Sequence, residues 1–227
     1  MADPIESETT SSTHQPGSPP ILDADEAIER ARALAASAAA RQRRLLLGIC
    51  GAPGSGKSTF AQRLTSELGA AAVPMDGYHL ADVGLDALGL RAWKGRIDTF
   101  DGAGFVSLLQ RLRADRSDEI IWAPSFERAL EQPIAGSLAV RPRDRFVVTE
   151  GNYLLDSDEP WAAIPSVLDE VWFVDVDDTL RTDRLLARHV QFGKSPNEAV
   201  EWVDRVDGPN AARIQSTRHR ASCIIRC

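Results

Sequence analysis

Along the chain, short apolar runs alternate with longer stretches in which alanine, leucine and charged residues recur at helical spacing. RLLLGIC, at 44–50, is apolar almost throughout and is followed by glycine. It predicts a strand buried on both faces of a parallel sheet. AAAVPM at 70–75, RFVVTEGNYLL at 145–155 and EVWFVDVD at 170–177 read as further strands. Between the first two, STFAQRLTSEL at 58–68 reads as a helix. Residues 23–44 predict another helix, opening on acids and closing on arginines, the order that suits the helix dipole. The segment at 178–196 opens as a helix that Asp178 or Thr179 can cap. Strand and helix thus alternate, the pattern of an α/β protein. Residues 1–20 are rich in Ser, Thr and Pro and poor in core-forming side chains. They read as a disordered tail on a single domain at 21–227.

The join between the first strand and the next helix is GAPGSGKST. Such a segment reads as an exposed glycine-lined turn rather than core. Gly51, Gly54 and Gly56 free the backbone so that successive N–H groups point inward. Ala52, Pro53, Ser55 and Thr59 complete the loop, and the helix that follows adds the positive end of its dipole. Lys57 supplies a full charge to β- and γ-phosphates, and the Ser58 hydroxyl can ligate Mg²⁺. Strand, glycine loop and helix in this order are the context that a nucleotide-phosphate loop requires.

Composition narrows the partners. The net charge of −7 excludes bulk attraction to nucleic acid or anionic membrane, so an anionic ligand needs a local positive site. No apolar run is long enough to span a bilayer, and the N-terminus lacks the basic start and apolar core of a signal peptide. The three cysteines, Cys50, Cys223 and Cys227, are too few for a disulfide framework and suit a reducing cytoplasm. Cys223 and Cys227 lack the neighbouring histidine pairs of a metal site.

Two acids stand at strand ends. Glu150 closes an apolar run before Gly151, where a carboxylate beside the phosphate loop can hold the shell of Mg²⁺; a capping glutamate is the plainer alternative. Asp76 ends the run at 70–75, one helix and one turn after Thr59, which puts it at the same sheet edge. A kinase for a hydroxyl gains from a carboxylate there, although a turn aspartate before glycine is also common. The segment Asn-Lys-x-Asp, by which a GTPase reads its base, does not occur.

GAPGSGKST, PMDGYHL, RAWKGRIDTFD and VVTEGNYLL, in this order and spacing, resemble the phosphoribulokinase/uridine kinase family of P-loop kinases. The likeness is greatest to its bacterial pantothenate-kinase-like branch and runs from about residue 41 to 225. The ending NAARIQSTRHRAS is also similar to that branch. The resemblance implies a five-stranded parallel sheet flanked by helices, with a lid at about 181–197 and an acceptor-binding insertion. It implies ATP and Mg²⁺, with Lys57 and Ser58 on nucleotide and metal, Glu150 near Mg²⁺ and Asp76 as catalytic base. It also implies that Tyr78, His79, Lys94, Asp98 and Asn210 surround the acceptor, with dimers frequent in such families. His79 equally suits a packed imidazole. APSFERA places Phe126, Glu127 and Arg128 where pantothenate kinases carry an aromatic-Ser-His group, which argues against pantothenate itself. Arg128 suits an acceptor bearing a carboxylate or phosphate, or is a surface arginine. Arg181, Arg184 and Arg188 share one helical face; they read as lid arginines over the transferring phosphate, Arg188 foremost, or as a solvated stripe.

These residues predict an ATP- and Mg²⁺-dependent kinase for a hydroxyl of a small soluble metabolite: a nucleoside, a pantothenate-like compound or a sugar. The alternative from another class is a nucleotide-binding switch that hydrolyses ATP slowly and acts through a protein partner. Asp76 separates them, since a switch needs no acceptor base.

Overall fold

The computed structural model describes residues 17–116 and 118–226. Of the tail expected at 1–20, residues 1–16 lie outside the described residues, as does Cys227, whereas Pro20 is described and its carbonyl accepts from Ile224 N–H. The chain begins with β1 (Ile21–Leu22), α1 (Ala24–Ala40), β2 (Leu45–Cys50), α2 (Lys57–Leu68) and β3 (Ala71–Ala72). It continues through α3 (Asp82–Leu88), α4 (Gly102–Ala114), the hairpin β4 (Ile121–Glu127) and β5 (Gln132–Val140), and β6 (Phe146–Gly151). Then come α5 (Ile164–Val167), β7 (Glu170–Asp175), α6 (Asp178–Gln191), α7 (Pro196–Trp202), α8 (Gly208–Ser216) and β8 (Cys223–Arg226).

The main sheet is parallel, in the order β1-β8-β7-β2-β6-β3. It has six strands, not the five expected. The extra one is β1, where Ile21 and Leu22 pair with Ile224 and Ile225, and the Pro20 carbonyl accepts from Ile224 N–H. The central strand β2 explains the unbroken apolar run. Leu46 and Cys50 face the core under α4, with Phe105, Leu109 and Tyr153. Leu45, Leu47 and Ile49 face the opposite core, with Ile28, Phe60, Leu64 and Trp172. Both faces are covered, as a parallel sheet requires. Among the described residues, no helix is long and apolar enough to cross a membrane.

Three local expectations shift. The helix at 23–44 stops at Ala40 with Arg41 as its C-cap, so Arg43 and Arg44 fall beyond it. Arg43 pairs with Asp169, and buried Arg44 donates to the carbonyls of Leu112 and Asp144. The strand at 70–75 is only Ala71–Ala72, because Pro74 interrupts the pairing and Met75–Tyr78 closes into a 3₁₀ turn. The cap of α6 is Asp177 rather than the expected Asp178 or Thr179, and its carboxylate accepts from Thr179 and Leu180 N–H.

Candidate active site

The glycine loop leaves the carboxyl end of β2 and enters α2 at Lys57. Gly54 and Gly56 stand at φ +82° and +92°, a region that side-chain-bearing residues rarely adopt. A Cβ on Gly54 would lie 2.7 Å from the Arg181 carbonyl oxygen, and one on Gly51 2.6 Å from Ser55 Oγ. Gly56 is the N-cap of α2 and offers no side chain, so the first amides of that helix have no side-chain cap. These N–H groups and the helix dipole form an anion cradle. The loop is not the exposed turn that its composition suggested. Ser55 is 2% and Lys57 9% exposed, because α6 packs over the loop through Arg181 and Leu185.

A cavity of about 580 Å³ opens beside this loop. Lys57 and Asp76 line it together with His79, Lys94, Phe126, Arg128 and Arg188. Asp76 is held in the 3₁₀ turn that ends β3, beneath the hairpin. Gly77 makes the approach possible, since a Cβ there would lie 2.3 Å from the Pro124 carbonyl oxygen of β4. The same hairpin brings Arg128 to 3.6 Å from Asp76 Oδ2. Phe126 lies 5.0 Å from the His79 ring, and Lys94 Nζ stands 5.4 Å over Phe126 while pairing with Asp82 at 2.8 Å.

Electrostatics follow from burial. Burial pushes the Glu150 carboxyl above the usual carboxylate range; the Lys57 ammonium opposes the rise and Asp76 adds to it. Glu150 Oε2 and Ser55 Oγ are buried with no hydrogen-bond partner among the described residues. Gly151 follows Glu150 because Met75 packs 2.5 Å from where its Cβ would stand. Burial holds His79 down to about 4, so the ring is neutral at ordinary pH. It stacks on Phe100 at 3.9 Å, and its buried Nδ1 has no hydrogen-bond partner among the described residues. Arg188 is lowered from its usual value by burial and then by Arg128, while Asp207 and Asp76 oppose the shift. The hairpin and α6 thus bring two like charges toward one space.

Not every expected residue reaches the cavity. Tyr78 turns into the core, with its ring 5.2 Å from Phe105. Asp98 forms a two-pronged pair with Arg96 at 2.7 and 2.6 Å, outside the cleft. Asn210 is buried and donates to the Gly95 carbonyl, which Tyr153 Oη also reaches; both anchor the turn that carries Lys94. Of the three arginines on α6, Arg181 faces the Pro53 carbonyl and Asp178, and Arg184 lies near Gly56. Arg188 alone of the three lines the cleft. The sequence reading missed Lys194, Trp202, Arg205 and Asp207, which close its far side. A basic and aromatic cluster after the lid helix was the available signal.

No family model matches the chain. A Schizosaccharomyces pombe protein named "Putative uridine kinase C227.14" is 33% identical over 215 residues, covering 88% of this chain and 89% of that one. A solved structure described as a "putative fructose transport system kinase" from Silicibacter sp. TM1040 is 35% identical with a TM-score of 0.74, covering 80% and 89%. YFH7 of Saccharomyces cerevisiae, described as "a putative P-loop containing kinase with a circular permutation", superposes with a TM-score of 0.76 over 91% of this chain and 99% of that one. At 19% identity it shows the fold alone. The phosphate loop at the end of β2, the covered parallel sheet and these relatives lead to one conclusion: the chain belongs to the phosphoribulokinase/uridine kinase family of P-loop kinases.

Proposed function

We propose that the protein is an ATP- and Mg²⁺-dependent kinase that phosphorylates a hydroxyl of a small metabolite. The observation that carries this reading is one cleft lined by Lys57 of the phosphate loop, Asp76 of the β3 turn, Arg128 of the hairpin and Arg188 of the lid helix. A nucleotide-hydrolysing switch has no use for a carboxylate facing acceptor space beside the phosphate loop. MgATP, when bound, supplies the electrophilic phosphorus and the ADP leaving group. The amides of residues 54–58 and the Lys57 ammonium bind phosphate oxygens. Ser58 Oγ and the Glu150 carboxylate fit a hard cation, and the buried, unpartnered Glu150 Oε2 supports that fit. No group of three or more His, Cys, Asp or Glu could hold a metal among the described residues, so such an ion would be shared with phosphate oxygens. Asp76 orients the acceptor hydroxyl and takes its proton on an Oδ atom. Arg188 offsets negative charge on the transferring group, and the lid excludes water. Cys50 and Cys223 are buried thiols, which supports a reducing, cytoplasmic setting.

Asp76→Asn tests the assignment, since it keeps the size of the side chain and removes its basicity. ATP affinity should stay within a few-fold, because Lys57 and the loop amides are untouched. Acceptor-dependent ADP release should fall by about 10²–10⁴-fold. Lost ATP binding with intact transfer at saturating ATP would make Asp76 a metal-site or structural residue.

A further inference from the structure

The cleft holds more positive charge than the reaction proposed above uses. Seven lysine and arginine side chains line it against four carboxylates, in a chain whose net charge is −7. Three of those carboxylates are engaged. Asp82 pairs with Lys94 and Arg91, both at 2.8 Å. Asp76 faces Arg128, and Asp207 lies 2.7 Å from His189 Nε2. Lys57 and Arg188 are accounted for by the nucleotide. At the far side, Lys194 and Arg205 pair with no carboxylate among the described residues.

They are held on indole faces instead. Lys194 Nζ is 4.5 Å from the centroid of Trp202. The Arg205 guanidinium lies 5.7 Å from Trp202 and 5.6 Å from Trp93. A cation over an aromatic face is attracted to the ring yet keeps its N–H donors available at its edges. The backbone explains the gathering. Trp202 ends α7 and a π-helical turn, Val203–Asp207, follows at once. Its wider winding sets Arg205 against Trp93 of the Arg91–Trp93 turn, whose next residue, Lys94, lies over the Phe126 ring. Both cations bear on the Trp202 ring, and an oxyanion in contact with them offsets the like charge gathered there.

We propose that Lys194 and Arg205, braced by Trp202 and Trp93, form a subsite for a compact oxyanion carried by the acceptor, a phosphate ester or a carboxylate. The inference rests on the kinase reading and deepens it: the substrate is an anionic polyol rather than a neutral nucleoside or sugar. Lys194, Arg205 and Asp76 line the same cavity, so an anion docked in this corner leaves the acceptor's distal hydroxyl free to reach the base.

Two measurements test the subsite. First, a nonhydrolysable ATP analogue fills the phosphate loop, and inorganic phosphate or glycolate is titrated while the indole Nε1–H resonances of Trp93 and Trp202 are followed. Both anions, or one of them, should shift these resonances in the wild type. The Lys194→Gln/Arg205→Gln double variant should bind about 10–100-fold more weakly, the scale of lost charge-assisted contacts. Absence of any shift in the wild type, or equal affinity in the variant, overturns the proposal. If the analogue itself does not bind, the phosphate-loop reading fails, while the comparison of wild type and variant still reads the subsite. Second, fructose, fructose 6-phosphate and gluconate are compared as acceptors by ADP release. The proposal expects the anionic members to be favoured at least tenfold in kcat/KM, with the double variant raising their KM and leaving kcat within a few-fold. The phosphate and carboxylate arms tell the two sources apart. A preference for fructose, or a KM rise equal for charged and neutral acceptors, overturns it.

Discussion

At the residue scale, His79 shows how burial chooses a chemical state. Its ring lies between Phe100 and Phe126, and burial lowers its pKa from 6.5 to about 4. The unfolded chain therefore holds a proton between those values that the native chain does not. Stability rises with pH wherever the unfolded state binds more protons, so it falls as pH drops from 6.5 toward about 4. Across that window the loss is of the order of 3 kcal/mol at most. Urea denaturation of wild type and His79→Gln from pH 7 to 4.5 checks this: the wild type should lose stability relative to the variant. Superimposable profiles would show that the imidazole is not buried in its neutral form. The neutral ring matters for the site, since it offers an acceptor one uncharged polar atom next to Asp76.

At the scale of elements, the site depends on how closely the β3 turn meets the hairpin. Gly77 sits under the Pro124 carbonyl, where an added Cβ would be 2.3 Å from the oxygen and 2.7 Å from its carbon. Backbone cannot swing aside as a flexible side chain can. Gly77→Ala should push β4 away from Asp76, at a cost of about 1–3 kcal/mol by analogy with overpacked cores. The acceptor KM should rise while ATP affinity changes little, because α2 and its loop are not in that contact. Paired denaturation midpoints and ligand titrations read both effects. Unchanged stability with unchanged KM would mean that the hairpin does not position the acceptor. The two-stranded hairpin itself left little trace in the sequence: β4 pairs with β5 across a register shift between Ala123 and Ser125, and its exposed face breaks the alternation.

At the scale of the whole molecule, the two ends of the described chain lie side by side. Only two residues of β1 pair with β8, yet that pairing closes the sheet edge against which α1 packs. Removing residues 1–22 should lower Tm by several degrees, since about 2–4 °C accompanies each kcal/mol in a domain of this size. ATP affinity should hold, because two strands, β8 and β7, stand between β1 and the β2 strand that carries the phosphate loop. A Tm unchanged on truncation would show that β1 adds nothing to the sheet.

The local chemistry was legible because it is written in contiguous residues. GAPGSGKST carries its own backbone freedom and its own charge, and an all-apolar run such as Leu45–Cys50 has no stable place except between two covered faces. Strand, loop and helix, the class of fold and the roles expected of Lys57, Asp76 and Glu150 follow from such stretches. What required the tertiary structure depends on segments far apart in the chain. Burial of the loop is set by α6, more than a hundred residues later. The sixth strand needs the two ends of the chain to meet, and β1 is too short to announce itself by pattern. Tyr78 and Asp98 share motifs with true cleft residues, yet one turns to Phe105 and the other to Arg96, because neighbouring side chains on a tight turn point in different directions. Lys194 and Arg205 become neighbours only when Trp202 and Trp93 bring their elements together, since cation and ring attract through space and not along the sequence.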